Sequence, residues 1–403
     1  MKLFTSRLNK IFGDMVLNLI ATAVPTFVLQ LIILPLIGSR MNSESYGLLV
    51  TILALLNVVP STFGNTLNNI RLIYDNEYKS RNIEGDFNAI LIIFGLMNVI
   101  VVGGMSYYYD EKITPISITL IILVALAWMA KEYYAVAFRL VINYKAILIN
   151  NLYHVIGYGI GYGLYIVTDQ WQLIYLCGYV FGLLYIFRHS VLWKEKLAIT
   201  KLFKEVTIQG ILLLIAGILT RVTVYADKML IYPLLGGTVT SLYYVATVFG
   251  KVVALVVTPV TSVVLTYLAK NKKRNNSLFK KTLCTGSLVC CIGYLCCIVL
   301  SRPVLGILYP QYIDEAMKYI YITSATTVLY ALITVVNPFI LNYFTMWWQI
   351  AINGLSAIMY VAFSVGLLSL FGLMGFCIGA LISNIVKLLF SIAIYYKAMP
   401  KSA

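Results

Sequence analysis

Acidic residues are scarce in this sequence, 15 Asp and Glu in 403 residues, and histidine is nearly absent, at 2. With 30 Lys and Arg, charged residues reach only 11%, while 61% of the chain is hydrophobic and mean hydropathy is +0.89. That poverty of charge excludes a string of soluble domains. The seven cysteines all lie in apolar runs with no His or carboxylate at ligand spacing, which excludes both a disulfide framework and a metal centre. No GxxxxGK[ST] loop, no GxGxxG behind a strand and no HExxH is present, so the chain does not itself drive pumping with a nucleotide and no cofactor is expected. His154 and His189 stand alone, and His154, in NLYHVIGYG, reads as a hydrogen-bonded helix-packing residue. No enzyme constellation emerges.

What fills the sequence is a succession of apolar runs of about 20 residues, each able to cross a hydrocarbon core of roughly 30 Å at about 1.5 Å per residue. Breaks at charged or Pro/Gly/Asn-rich points place twelve helices, at 14–37, 46–69, 87–108, 115–137, 146–167, 171–190, 207–235, 240–267, 283–300, 316–341, 346–370 and 372–396. Only Phe371-Gly372 parts the last two. The basic start MKLFTSRLNK is read as the flank of a retained first span, because the apolar run continues to Ile37 through Pro25 and Pro35 without a small-residue cleavage site. The longest non-cytoplasmic loop is expected at SRPVLGILYPQYIDEA, 301–316, which disfavours a glycan polymerase or ligase, for which a large external loop is expected.

Lys and Arg fix the orientation, since they are retained on the cytoplasmic side of short loops. Of the 30, 22 fall at the termini and in the even-numbered loops, 4 on the opposite side, and 4 inside spans. Both termini are therefore expected in the cytoplasm. The net charge of +15 is spread over every loop of that side, which argues against a nucleic-acid partner; the run NKKRNN, 271–276, reads as a solvated loop, with contact to anionic membrane lipids as the alternative.

The chain repeats itself. QLIILPLIGSRMNSESYG (30–47) against KMLIYPLLGGTVTSLYYV (228–245) gives identities at Ile33/Ile231, Pro35/Pro233, Leu36/Leu234, Gly38/Gly236, Ser43/Ser241 and Tyr46/Tyr244. Asn143-Tyr144 matches Asn342-Tyr343 at nearly the same offset. The fold expected is an all-α polytopic membrane protein of about 12 transmembrane helices, in two pseudo-symmetric six-helix halves, 1–200 and 201–403, around a central cleft.

Charges at membrane depth are costly, about 2.5–3.5 kcal/mol at the least for one at the bilayer centre, so they normally face a cavity or a partner. Here they are Asp14, Arg221, Asp227, Lys228, Lys251 and Lys387. Arg221 and Lys228 are seven apart, within about 20° on one helix face and about 10 Å along the axis, with Tyr225 between them: a rail for an anionic headgroup. Asp227, about 100° round from Lys228, is a counter-ion for Lys251, Lys387 or Lys228. The plainer alternatives are an ion pair that only fixes helix packing, or end residues that snorkel. Pro25, Pro35, Pro60, Pro233, Pro259 and Pro338 break ladders in or at the ends of spans, as kinks or hinges.

At these residues the sequence resembles a family. YADKMLIYPLLGGTVTSLYYVATVF, 225–249, is similar to the helix 7 to helix 8 signature of polysaccharide flippases of the multidrug/oligosaccharidyl-lipid/polysaccharide exporter superfamily. PLIGSRMNSESYGLLV, 35–50, looks like that family's helix 1 to helix 2 turn; FGLMGFCIGALIS, 371–383, looks like its start of helix 12; and Asn353 matches a recurrent Asn. The family often has Arg where this chain has Lys228, so a monodentate ammonium replaces a guanidinium fork. The resemblance implies translocation of an undecaprenyl-pyrophosphate-linked oligosaccharide, an O-antigen or capsular repeat unit, to the outer leaflet of a bacterial inner membrane. It implies a glycan polymerase and a chain-length regulator of the same pathway as partners. Arg221, Lys228 and Lys251 become candidate headgroup contacts, and Asp227 and Lys387 candidate counter-ion or coupling groups. Two rivals stand beside it: a multidrug cation antiporter, whose cleft would favour acidic residues, and a glycan polymerase.

Overall fold

The computed structural model describes residues 17, 20–81, 83–270 and 275–398, with the backbone alone for 252–267, 269, 270 and 346. Asp14, the cations of residues 1–16, residues 271–274 of the NKKRNN run and the ring of Pro259 lie outside that description. Among the described residues the regular structure is entirely helical. It comprises α1 (Ile20–Gly38), α2 (Ser43–Arg81), α3 (Asp86–Tyr109), α4 (Pro115–Leu140), α5 (Tyr144–Thr168), α6 (Gln172–His189), α9 (Asn276–Leu308) and α10 (Ile313–Tyr343). Two longer helical runs complete it. Phe203–Lys270 is broken by Gly236 at φ 82° into α7 (203–235) and α8 (237–270), and Met346–Lys397 is broken by Gly372 at φ 59° into α11 (346–371) and α12 (373–397). Only glycine takes such a backbone without strain, so each long apolar run folds back as two helices at its glycine.

Eight of the helical runs are long and apolar enough to cross a membrane. Dividing the two long ones at their glycines makes ten, and α5 and α6 make twelve, which carry Asn150, Asn151, His154 and many tyrosines in place of aliphatic side chains. The chain is a polytopic α-helical membrane protein. Helix ends depart from the apolar windows. α2 runs on to Arg81, its last turns held by Lys79–Asp75 (2.6 Å) and Arg81–Glu77 (2.5 Å) ion pairs at i,i+4 spacing. Pro303 stands inside α9, so the expected 301–316 loop shrinks to four residues, 309–312. Starts are capped: Thr114, Asn143 and Asn275 each accept a backbone N–H of the first turn of α4, α5 and α9. Pro35 follows a π-helical turn, Leu29–Ile33, in α1.

The described residues form two compact units: those up to Ile37 with those of Thr51–Tyr225, and those of Gly38–Val50 with those from Ala226 onward. In the first, helices approach closely wherever a small residue lets them. A Cβ on Gly157 would meet the Cys177 carbonyl at 2.5 Å, and one on Gly161 the Ile174 Cα at 2.5 Å, so α5 and α6 pack backbone to backbone. Gly64 of α2 lies similarly against the Met129 carbonyl of α4, and Asn68 donates to the Glu132 carbonyl at 2.7 Å. Beyond the apolar windows Arg71 forms a bidentate pair with Glu195, at 2.8 and 2.5 Å, with its guanidinium 4.6 Å over the Phe87 ring.

In the second unit an aromatic cluster of Phe279, Phe339 and Tyr395 ties α9, α10 and α12 together at one end, Phe279 stacking on Tyr395 at 3.7 Å. At the other end the turn before α2 meets the break at Gly236. Glu44 accepts from the N–H groups of Gly237 and Thr238, both at 3.0 Å, and so caps α8. Ser241 Oγ donates to the Ser43 carbonyl, and the Tyr46 and Tyr244 rings meet edge to face at 5.9 Å. Ser43/Ser241 and Tyr46/Tyr244 are identities of the internal repeat, so equivalent positions touch each other. The second repeat match is less regular: Asn143 caps α5 from outside the helix, whereas Asn342 is within α10 and donates to the Leu268 carbonyl.

Candidate substrate-headgroup site

Three of the intramembrane charges come together in the second unit. Asp227 and Lys228, near the end of α7, are 7% and 3% exposed. Neighbouring residues of a helix point about 100° apart, yet the flexible lysine stem turns back along the helix. Asp227 Oδ2 accepts from Lys228 Nζ at 2.7 Å, and its Oδ1 accepts from the Lys228 backbone N–H at 2.9 Å. Lys251 of α8 brings its Nζ to 3.8 Å from the same Oδ2, with 24% of its side chain exposed. Of the three counter-ion pairings open to Asp227 in the sequence, the geometry takes Lys228 and Lys251.

Around this triad stand aromatics that composition alone does not single out. The Lys228 ammonium lies 5.6 Å from the centroid of the Tyr243 ring, whose hydroxyl interacts with Asp227. Tyr243 meets Phe376 edge-on at 5.7 Å, and Tyr360 meets the same ring at 6.0 Å. α7, α8, α11 and α12 thus all contribute. Two ammonium groups share one carboxylate, and the less buried of the two, Lys251, holds it at the longer distance. A buried ion pair of this kind is costly to desolvate and needs its remaining valences filled. Here the unfilled valence is a cation's, so the group it can take is an anion.

The other candidates make different contacts. Arg221 belongs to the first unit, half-buried, with Nη1 3.5 Å from the Asn57 carbonyl, at the outer limit of a hydrogen bond. It makes no ion pair among the described residues. Lys387 of α12 is 6% exposed, and its ammonium stands 5.8 Å from the centroid of Tyr330; no carboxylate pairs with it among the described residues. One cation counted with the cytoplasmic loops is misplaced by that count: Lys131 of α4 is 8% exposed and reaches Asn151 and His154, because its stem lies across Gly182, where no side chain stands in the way. Among the described residues no three His, Cys, Asp or Glu side chains are grouped to hold a metal ion.

No protein-family profile matches the chain, and no curated protein matches it in sequence. Solved structures do match. The lipid II flippase MurJ in an inward closed conformation superposes with a TM-score of 0.70 at 14% identity, over 99% of this chain and 88% of that one. An inward-facing multidrug resistance MATE family transporter of the MOP superfamily gives 0.67 at 10% identity, over 94% and 98%. The Vibrio cholerae MATE transporter VcmN in its bent form gives 0.62 at 12%, over 99% and 98%. At such identities the likeness is one of fold, and it extends over nearly the whole chain: this membrane protein has the fold shared by a lipid II flippase and the multidrug transporters of the MOP superfamily.

Proposed function

We propose that the chain is a flippase that carries an undecaprenyl-pyrophosphate-linked oligosaccharide, an O-antigen or capsular repeat unit, from the cytoplasmic to the outer leaflet of a bacterial inner membrane. The observation that carries this reading is the excess of cation over carboxylate at membrane depth: Lys228 and Lys251 share Asp227, and Arg221 and Lys387 have no acidic partner among the described residues. A pyrophosphate calls for such a surplus, whereas a site for cationic drugs calls for carboxylates. A fold shared with a flippase of a lipid-linked substrate supports the same reading. In it, Lys251 and Lys228 of the second unit are headgroup contacts that Asp227 holds until the anion arrives, Arg221 of the first unit is a further candidate contact, and Lys387 is a candidate coupling group. The lipid tail stays in the bilayer. Both termini stay in the cytoplasm, and the polymerase and chain-length regulator of the pathway act on the product.

The test is transport of lipid-linked oligosaccharide in a strain lacking its own flippase, with protein level in the membrane measured in parallel. A charge-assisted hydrogen bond to phosphate contributes about 1.5–3 kcal/mol, so Lys251→Ala and Arg221→Ala are each expected to lower surface display by about tenfold or more at unchanged protein level. Full display with both substitutions sinks the assignment. Resistance to cationic drugs conferred by the native chain would favour the antiporter in its place.

A further inference from the structure

The first unit contains a second buried polar cluster with no carboxylate in it. Lys131 of α4 donates through Nζ to Asn151 Oδ1 at 2.9 Å, and the same Nζ is 3.0 Å from Nδ1 of His154, both partners on α5. Exposures are 8%, 7% and 3% for Lys131, Asn151 and His154. The room is built by two glycines of α6. A Cβ on Gly178 would stand 2.7 Å from His154 Cδ2, and one on Gly182 would stand 3.2 Å from Lys131 Cε. Orientation is fixed as well: Asn151 Nδ2 donates to the Ala21 carbonyl of α1 at 2.8 Å, which turns its Oδ1 toward the lysine. The imidazole is clamped between Tyr158 and Tyr179, each ring 4.5 Å away, and Tyr179 stacks on Trp128 at 4.7 Å.

The chemistry of this cluster is narrow. Nζ and Nδ1 at hydrogen-bond distance tolerate at most one excess proton: two cations would repel across 3.0 Å, whereas with one the ammonium donates to Nδ1, and with none an amine N–H or the Nδ1–H tautomer still bridges the two nitrogens. The groups that face the pair leave it uncompensated. Tyr158 on α5 and Tyr175 and Tyr179 on α6 are neutral phenols, Asn151 is an amide, the α1 contact is a carbonyl, and Glu132 on α4 acts only at a distance, its backbone carbonyl taken by Asn68. One nitrogen is left over. His154 Nε2 is buried and has no hydrogen-bond partner among the described residues, which leaves it as the ring's second proton-exchanging atom.

We propose that Lys131 and His154 form a one-proton site inside the first unit, in which a single proton is held between Nζ and Nδ1 and exchanges with water by way of Nε2. The proton comes from and returns to water, and the pair alternates between a charge of +1 and neutrality. The site stands on its own geometry. Its use as the coupling site of transport rests on the flippase reading above.

The sequence contains only two histidines, which makes the site directly observable. His189 is exposed and stacks on Tyr185, so His189→Asn leaves His154 as the single imidazole. Nitrogen NMR of the 15N-histidine-labelled protein in lipid nanodiscs is expected to show His154 Nδ1 changing in one step as the pH is raised, with no doubly protonated imidazolium at any point. Lys131→Met, similar in length and uncharged, is expected to abolish that step, and Lys131→Arg to leave Nδ1 beside a permanent cation without one. An imidazolium signal in the presence of Lys131, no step at all, or an unchanged step in Lys131→Met each overturns the site. A second arm separates this from the functional reading. In liposomes with an imposed pH gradient, a native chain that flips lipid-linked oligosaccharide faster with the gradient, and a Lys131→Met chain that flips it at one rate with or without, supports coupling. Equal gradient dependence in both overturns coupling while leaving the flippase reading intact; no flipping by the native chain overturns that reading while the NMR result stands.

Discussion

Asp227 is the residue on which the second unit's buried charge turns. Its two oxygens hold the Lys228 backbone N–H, the Lys228 ammonium and, at 3.8 Å, the Lys251 ammonium. Removing the carboxylate strands two cations, and breaking a buried pair from one side costs about 3 kcal/mol or more. Asp227→Asn is therefore expected to lower the thermal unfolding midpoint of the detergent-solubilised protein, and adding Lys228→Met to recover most of the loss, because the buried charge leaves with its partner. A midpoint in Asp227→Asn equal to the native one would show that the pair contributes nothing. That Asp227, Lys228 and Lys251 deserved scrutiny was legible in the sequence, since charge in an apolar run is conspicuous. Which partner Asp227 takes was not legible, because an angle on a helical wheel places the Cα and not the end of a four-carbon stem. Tyr243 and Tyr360 were hidden by number: with 31 tyrosines in the chain, no spacing distinguishes the two that stand near Asp227. Lys131 was hidden by position. A lysine near the end of an apolar window is assigned to the interface, and the groove that buries this one is made by Gly178 and Gly182 of another helix.

At the scale of helices, glycine does two different things here. At 236 and 372 it supplies a backbone that other residues rarely adopt; at 47, 64, 157 and 161 it supplies an absence of volume. A Cβ at Gly47 would collide with the carbonyl of Gly237, where the start of α2 crosses the start of α8, whereas a Cβ at Gly104 of α3 meets nothing within 4 Å. Gly47→Ala is expected to destabilise by roughly 1–3 kcal/mol through overpacking, while Gly104→Ala is expected to be neutral or slightly stabilising, by up to about 1 kcal/mol, because alanine favours the helix. Thermal unfolding of the two variants side by side checks this, and equal effects would refute it. The breaks at Gly236 and Gly372 were readable, because an apolar run too long for one crossing must turn at the residue that allows it. The true helix ends were not. Ion pairs one turn apart extend α2, and a tolerated proline extends α9, and neither is recorded by hydropathy.

For the whole molecule the strongest sequence signal is the 22-to-4 division of Lys and Arg, from which an orientation is expected independently of any contact. It makes a prediction about sides. In a cysteine-free background, Lys196→Cys, in the stretch between α6 and α7, is expected to react with a membrane-impermeant maleimide only in inside-out vesicles, and Asp169→Cys, between α5 and α6, only in right-side-out vesicles. The reverse pattern would invert the topology and with it the direction of transport proposed here. That the crossings are helices has a separate cause, since hydrocarbon requires every backbone group to be bonded within its own helix.

The contact of Ser241 with Ser43 and of Tyr244 with Tyr46 has a consequence for how this chain can change over time. Contacts between like positions are the mark of an isologous interface, in which a patch meets its own copy. Were the two segments encoded once, in a pair of identical chains, a single codon would govern both sides of each contact and no substitution there could be tried alone. Written twice in one chain, each side drifts by itself: Gly47 keeps its bare approach to Gly237, while the counterpart of Gly47 in the second copy is Val245 and that of Gly237 in the first is Ser39. Duplication within one reading frame gives each copy its own history.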